Sequence, residues 1–470
     1  MQIVGARAEF LRYQILSPQR KQGWLHHLAG RGDKTVAQLK RRGFLAGGVT
    51  AAGCWVSGSA QPARAAVNDA VSMAVIGFNG MGMGHVGQLA GNGAVRITAL
   101  CDIDPSVRRR GFERVKSAAG NRPQLTDDFR RIVDDPRIDA VTIATPHHWH
   151  CPIAIPMLMA GKDVYVEKPA SHVFREGRLL VDAARKYERV VQHGTQMRSS
   201  PVTREAGEVL KSGILGDIRI TKAWNVQNRG FQKPVPDGNA PQGVDYDRWL
   251  GPAPKRAFNA NRFHGKWRLW RDYGNGDMGD DGAHDIDMAA WALGVTTHPI
   301  EITAHGSNTR PAGYREYPDN SFAAFRYQDG RVLLYEDRLY TPYGEHGVDS
   351  GNAFYGTEGY MIFSRRGFFR TYLGKKETPG PQSGQAGRVG APLPTHMEDF
   401  VNAVRSRKAT RAPAEVAHRT CALIHLAEIA LRTKTVLEFD PELETITNSA
   451  SAQAMLGKEY RQPYGLPTSI

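Results

Sequence analysis

Three short stretches carry side chains whose types and spacing could do chemistry together. The first, Gly77-Phe78-Asn79-Gly80-Met81-Gly82, follows a β-branched apolar run and opens a helical period. Glycines at such a turn let the backbone approach a pyrophosphate, which the N–H groups of the helix start then hold. Asn79 stands in the second glycine position, where a residue tolerant of positive φ is expected. Asp102 follows twenty residues after Gly82, at the end of the next apolar run. A carboxylate there accepts a hydrogen bond from a ribose 2′-hydroxyl and repels a 2′-phosphate, favouring NAD over NADP. The plainer alternative is a tight strand–helix turn with a solvated aspartate.

The second stretch is Thr145-Pro146-His147-His148-Trp149-His150 together with Glu167-Lys168-Pro169. Both fall at the ends of apolar runs, where open α/β sheets bind ligands. Thr145, Pro146, His150, Glu167 and Lys168 are therefore expected at the cofactor. The Lys168 ammonium is expected to hydrogen-bond a substrate hydroxyl and lower its pKa for hydride loss. The third stretch is Asp280-Asp281-Gly282-Ala283-His284. If a helix starts near Asp280, then Asp280 and His284 share one face, and the carboxylate can orient the imidazole as a general base. His and Asp also ligate metals, but no H-E-x-x-H or cysteine pair accompanies them, and no metal is expected. An acidic helix start with a chance histidine is the plain reading.

These stretches need elements to hold them. From Val71, short β-rich runs (71–76, 95–101, 140–144, 164–166, 190–192) alternate with helical periods, which reads as a doubly wound parallel sheet. After Gly194 come a helical stretch and then β-runs at 218–226, 300–305, 321–327, 332–339 and 360–364, joined by short turns. That texture predicts an α+β domain with a large, mostly antiparallel sheet. A Gly/Pro-rich stretch at 374–390 reads as a surface loop, and helical periods at 395–405 and 415–433 close the chain. The expected division is a leader over 1–66, a Rossmann domain over 67–193, a substrate and oligomerisation domain over 194–440, and a C-terminal tail over 441–470.

The net charge of +14 is lopsided: residues 1–66 contribute +8 and leave +6 for the rest. So small a charge, without a basic run beside aromatics, is a poor footprint for nucleic acid. Within the leader, Lys40-Arg41-Arg42-Gly43-Phe44-Leu45 resembles a twin-arginine export signal. A weakly apolar Gly/Ala-rich stretch and Ala63-Arg64-Ala65, an A-x-A-like cleavage site, follow it. The stretch is too short and glycine-rich for a membrane span. The expectation is export and a periplasmic or extracytoplasmic location, with no span left after leader removal. Cys101, Cys151 and Cys421 sit in or beside apolar runs and read as buried free thiols.

In order and spacing, Gly77–Gly82, Asp102, Thr145-Pro146 with His150, Glu167-Lys168-Pro169 and Asp280-x-x-x-His284 resemble the Gfo/Idh/MocA oxidoreductases, which include glucose-fructose oxidoreductase. The resemblance implies that Lys168 and His284 are the catalytic pair with Asp280 beside them. It also implies that the sheet domain lines a carbohydrate cleft and makes the subunit contacts of a homo-oligomer. Asn79 departs from the family pattern, as does His147 where the family usually has Asn. Gln192-His193-Gly194-Thr195-Gln196-Met197-Arg198 and Trp249-Leu250-Gly251-Pro252 resemble the exported branch, which also includes NAD-dependent glycosidases similar to α-N-acetylgalactosaminidase. On that basis Gln196 is assigned to the cofactor and Arg198 to the substrate. The aromatic segment 263–273 offers Trp267 and Tyr273 to stack and hydrogen-bond a sugar, or is merely a packed loop. The expected activity is oxidation or reduction of a ring hydroxyl or ketone of a sugar, glycoside or cyclitol with tightly bound NAD. The alternative is a glycoside hydrolase or lyase working by transient C3 oxidation, elimination and re-reduction. A sugar-binding or sensor role on the same scaffold is the non-enzymatic reading.

Overall fold

The computed structural model describes residues 70–229, 232–309, 315–383 and 393–470. The leader with its arginine pair and cleavage site lies outside the described residues. Among those described, no helix is long and apolar enough to cross a membrane.

The first sheet has six parallel strands: β1 (Val71–Ile76), β2 (Val95–Cys101), β3 (Gln124–Thr126), β4 (Ala140–Ile143), β5 (Asp163–Val166) and β6 (Val191–His193). Their order is β3-β2-β1-β4-β5-β6. All four residues of β4 and of β5 are buried, because helices cover both faces of the sheet. The order reverses between β1 and β4, so the loops leaving these two strands diverge and open a crevice at their carboxyl ends.

The second sheet has ten strands: β7 (Ile218–Val226), β8 (Glu301–Ser307), β9 (Asn320–Arg326), β10 (Val332–Arg338), β11 (Ser350–Gly356), β12 (Gly359–Ser364), β13 (Phe368–Leu373), β14 (Thr378–Gln382), β15 (Leu437–Asp440) and β16 (Thr445–Ile446). They run in the order β14-β13-β12-β11-β7-β10-β9-β8-β15-β16. Every pairing is antiparallel except β7 with β10. The fold is thus the expected parallel Rossmann sheet followed by an α+β domain on a large, mostly antiparallel sheet.

One face of the second sheet is covered by the helices Gly282–Leu293 and Ala414–Thr433, whose apolar residues share a core with Phe325, Leu333 and Tyr335. Helix 414–433 also packs on helix Phe174–Lys186 of the first domain, which locks the two sheets together.

Three features depart from the linear division read from the sequence. Helix Leu393–Ser406 inserts Met397, Phe400 and Val401 among Met73, Val75 and Tyr165, so it completes the first domain's core although it follows the second sheet. Residues 441–470, expected as a C-terminal tail, are folded onto the rest of the molecule. They carry β16 and the helix Ala450–Ala454, and Tyr464, Leu466 and Ile470 pack against the first domain's core. Within the expected loop at 374–390, Thr378–Gln382 forms the edge strand β14, while 384–390 lie outside the described residues. Cys101, Cys151 and Cys421 are buried free thiols.

Candidate functional site

The crevice between the β1 and β4 loops is a cavity lined by Gly77–Met81, Asp102, Thr145–His147, His150, Glu167, Lys168, Trp267, Arg268 and Asp280. Gly77 has φ +73°, and a Cβ there would sit 2.6 Å from Thr145 Cγ2. A Cβ on Gly82 would lie 2.1 Å from the Gly77 carbonyl oxygen. Both glycines are therefore sterically required, whereas a Cβ on Gly80 would meet nothing and would point into open space. The helix Met81–Ala90 starts at this turn. The Thr145 hydroxyl is buried beside it without a hydrogen-bond partner. A bare turn, a helix start aimed at open space and an orphaned hydroxyl fit the pyrophosphate and ribose of a dinucleotide.

Asn79 does not take the positive φ expected of it. Instead its amide oxygen accepts from Arg110 (2.7 Å) and its Nδ2 donates to His264 Nδ1 (3.1 Å). Asp102 accepts the backbone N–H of Phe78 (2.9 Å) and of Asp104 (3.0 Å). Burial raises its pKa, and those two N–H groups oppose the rise. Asp102 thus clamps the glycine turn onto β2 while facing the cavity. Asp104 caps the helix Pro105–Ala119 through Ser106 N (2.8 Å), and its other oxygen accepts from His264 Nε2 (3.0 Å).

Lys168 is held at the inner end. Its Nζ donates to the Asp280 carboxylate (2.6 Å) and to the Asp280 carbonyl (2.8 Å). The other carboxylate oxygen of Asp280 pairs with Arg268 Nε (2.8 Å), and Arg229 stands 3.7 Å away. Burial alone would raise the Asp280 pKa, but Lys168 and Arg268 hold the carboxyl well below its ordinary value. Glu167 accepts from His85 Nε2 (3.1 Å) and from Gln196 Nε2 (2.9 Å). Burial pushes its pKa up, yet His85 and Lys168 bring it down to about 2. The His150 ring nitrogens lie 2.7 Å from the Pro169 carbonyl and 2.9 Å from that of Thr145, which ties the two strand-end loops together.

The residues expected at the third stretch separate. The helix begins at Gly282, so Asp280 precedes it and turns its carboxylate to Lys168 and Arg268 instead of to His284. His284 sits in the first turn, 8% exposed, its Nδ1 without a hydrogen-bond partner, and it does not line the cavity. Burial, then the charges of Lys168 and Arg365, depress its pKa to about 3, so the ring is neutral.

Three other expected residues also lie off the cavity. Gln196 reaches Glu167 and Tyr165 from behind. Arg198 is spent in a bidentate pair with buried Asp287 (2.7 and 2.9 Å). Tyr273 is fully buried against Trp249 and His148. Trp267 does line the cavity, with the Arg268 guanidinium 4.4 Å over its ring. Arg268 was legible only as one member of an aromatic segment; nothing in the sequence places its charge beside Asp280. Among the described residues, one group has the donors to hold a metal, His298, His418 and Glu444, remote from this cavity. Arg178 already pairs with that glutamate.

Residues 71–195 match the model of an "Oxidoreductase family, NAD-binding Rossmann fold", and residues 207–363 and 370–466 match that of an "Oxidoreductase family, C-terminal alpha/beta domain". Levoglucosan dehydrogenase of Pseudarthrobacter phenanthrenivorans is 26% identical over 308 residues, covering 57% of this chain and 68% of that protein. A glycosyl hydrolase family 109 protein of a Shewanella species is 26% identical over 313 residues, covering 64% and 66%. The chain thus spans about two thirds of the length of these relatives. Among solved structures, levoglucosan dehydrogenase in complex with NADH and levoglucosan superposes with a TM-score of 0.62 at 20% identity, over 79% of this chain and 99% of that one. Aldose-aldose oxidoreductase from Caulobacter crescentus gives 0.61 at 18% identity, over 79% and 100%.

Proposed function

We propose, on the premise that this chain belongs to the Gfo/Idh/MocA family of NAD-binding oxidoreductases, that it oxidises or reduces a ring hydroxyl or ketone of a sugar, glycoside or cyclitol and keeps its NAD bound throughout. The observation that carries this reading is the Lys168 ammonium, fixed by Asp280 in the same cavity as the glycine turn. When bound, NAD supplies the acceptor and donor of hydride. Two of the three Lys168 N–H bonds go to Asp280. The third is left for the substrate oxygen, where it stabilises developing negative charge. Trp267 lines the same cavity and supplies an aromatic surface of the kind that packs on sugar C–H groups.

Retention of the cofactor is supported by contacts that roof the groove. His264 bridges Asn79 and Asp104, which fastens the segment that carries Trp267 to the nucleotide side, and Arg248 of the helix Tyr246–Leu250 pairs with Asp127 (3.1 Å). A roofed groove suits a cycle that restores NAD in place. The same feature favours a second reading, a glycosidase working by transient oxidation and re-reduction. Denaturing the native protein and identifying the released nucleotide by mass tests the first claim; a protein that releases none at any loading sinks it. Incubation with levoglucosan, aldoses and aryl glycosides without added NAD separates the two readings. Oxidised sugar with stoichiometric NADH supports the dehydrogenase, and released aglycone without NADH supports the glycosidase.

The arginine-pair leader supports export by the twin-arginine route to the periplasm, which cell fractionation tests. The open face of the second sheet exposes Phe322 on β9, Ile220 on β7 and Tyr355 on β11. An apolar face of that kind supports a homo-oligomer, and light scattering after size exclusion measures its size.

A further inference from the structure

We propose that His147 is an acid–base group of this site, its proton placed on one or the other ring nitrogen by Asn275. The inference rests on the sugar-oxidoreductase reading and extends it to a residue outside the Lys168–Asp280 pair.

His147 opens the single turn His147–Trp149 directly after β4 and Pro146. It is only 2% exposed, yet it lines the cavity with Lys168, Asp280 and Arg268. An edge-on contact with Trp267, 4.6 Å between ring centres, fixes the plane of the imidazole. Its Nδ1 points away from the cavity at Asn275, 3.2 Å from Oδ1 and 3.3 Å from the backbone nitrogen. The amide of Asn275 is not free to turn, because its Nδ2 donates to the His172 carbonyl (3.0 Å) and to Glu428 (3.5 Å). One acceptor and one donor therefore compete for a single ring nitrogen. Each neutral tautomer satisfies one of them and leaves the other, so the two forms differ by the exchange of one hydrogen bond for another.

The consequence appears at the opposite edge of the ring. With Nδ1–H donating to Oδ1, Nε2 presents a lone pair on the cavity side, as a sugar hydroxyl requires. With Nδ1 accepting the Asn275 N–H, Nε2–H presents a donor, as a ketone requires. In oxidation the hydroxyl O–H bond would break and pass its proton to Nε2, and the C–H electron pair would leave as the hydride that NAD accepts when bound; reduction would return both. Burial first, then His150, Lys168 and Arg268, depress the His147 pKa well below its ordinary value against the pull of Asp280. The resting ring is thus neutral, with a lone pair on one nitrogen; the same burial and cations make its protonated form a strong acid that readily returns the proton. The ionisable neighbours it faces are His150, Lys168, Arg268 and Asp280 in the cavity.

Nitrogen spectra of the NAD-loaded protein carrying 15N-histidine, with His147→Asn used to assign the signals, test the switch without any substrate. Both nitrogens of His147 should resonate at averaged positions, and Asn275→Ala should drive them to the single Nε2–H form. A single locked tautomer in the native protein overturns the proposal. With levoglucosan as the probe, His147→Asn should lower kcat about 100-fold with KM changed less than threefold and NAD content intact. Free imidazole should restore part of the rate of His147→Ala. Loss of rate in step with loss of NAD, or no loss at all, overturns the acid–base role. If the native protein turns over neither levoglucosan nor aldoses, the sugar reading fails, and the spectra still decide the tautomer.

Discussion

Replacing Lys168 by Met keeps the length of the side chain and removes its charge, and the structure fixes what should follow. Lys168 spends two N–H groups on Asp280 and has one left for a reacting oxygen. Removing a single donor aimed at developing negative charge costs about 10²–10³ in kcat, or ~3–4 kcal/mol. The KM should move little, since the lost interaction strengthens only as charge develops. Stability behaves differently. A buried carboxylate stripped of its partner typically costs about 3–5 kcal/mol. Asp280, however, keeps Arg268 at 2.8 Å and Arg229 at 3.7 Å, so the loss should approach that of one charged hydrogen bond, about 1.5–3 kcal/mol. Denaturant unfolding measures this directly. The pH dependence supplies an internal check. A depressed carboxylate stabilises the fold above its unfolded pKa and loses that contribution as pH falls through the folded value. Without Lys168 the Asp280 pKa rises, so the stability gap between native and Lys168→Met proteins should be full at pH 7 and close in acid. Turnover is assayed with the released nucleotide quantified in the same sample. A Lys168→Met protein with full NAD content and kcat within threefold of native would refute the assignment. A stability gap that persists unchanged in acid would refute the electrostatic account of the pair.

Other perturbations probe the remaining parts. Gly77→Ala forces a Cβ to 2.6 Å from Thr145 in a left-handed backbone; it should cost about 1–3 kcal/mol and empty the nucleotide groove, read as absent NAD on denaturation. Asp102→Ala orphans the N–H groups of Phe78 and Asp104, each loss amounting to about 1–3 kcal/mol. It should also narrow the preference for NAD over NADP in binding titrations. His264→Ala breaks both ends of the roof contact; NAD should then exchange about tenfold faster, an expected penalty of ~1.4 kcal/mol, measured by chase with labelled nucleotide. Asp285, whose pKa burial raises to about 7 against the pull of Arg365, works in the opposite sense to Asp280. A raised acid is stabilising below its unfolded pKa and progressively destabilising up to its folded value. Asp285→Asn should therefore flatten the fall in stability between about pH 4 and 7, and an unaltered pH profile would contradict the shift.

Local signals made the first sheet legible: apolar runs buried on both faces, a glycine turn, and Asp102 at the next strand end all depend on neighbours in sequence. Strands such as β11, with Ser350, Gly351 and Asn352 buried at its start, were invisible because their polar groups are satisfied by distant partners, Ser350 and Asn352 both bonding Asp285. The same distinction governs the site. Gly77, Asp102, Thr145 and Lys168 could be placed because each stands at a strand end. The partner of Asp280 could not, because spacing of i,i+4 assumes a helix that in fact begins two residues later. Once outside the helix, the carboxylate answers to charge, and the nearest uncompensated charges are Lys168 and Arg268, contributed 112 residues upstream and by the aromatic segment. His284 is thereby left without the carboxylate that would have oriented it, and of the two rings His147 is the one whose Nδ1 has a side-chain partner, in Asn275. Which of these two rings has its Nδ1 partnered is decided by contacts distant in sequence, and no pattern of spacing along the chain encodes that.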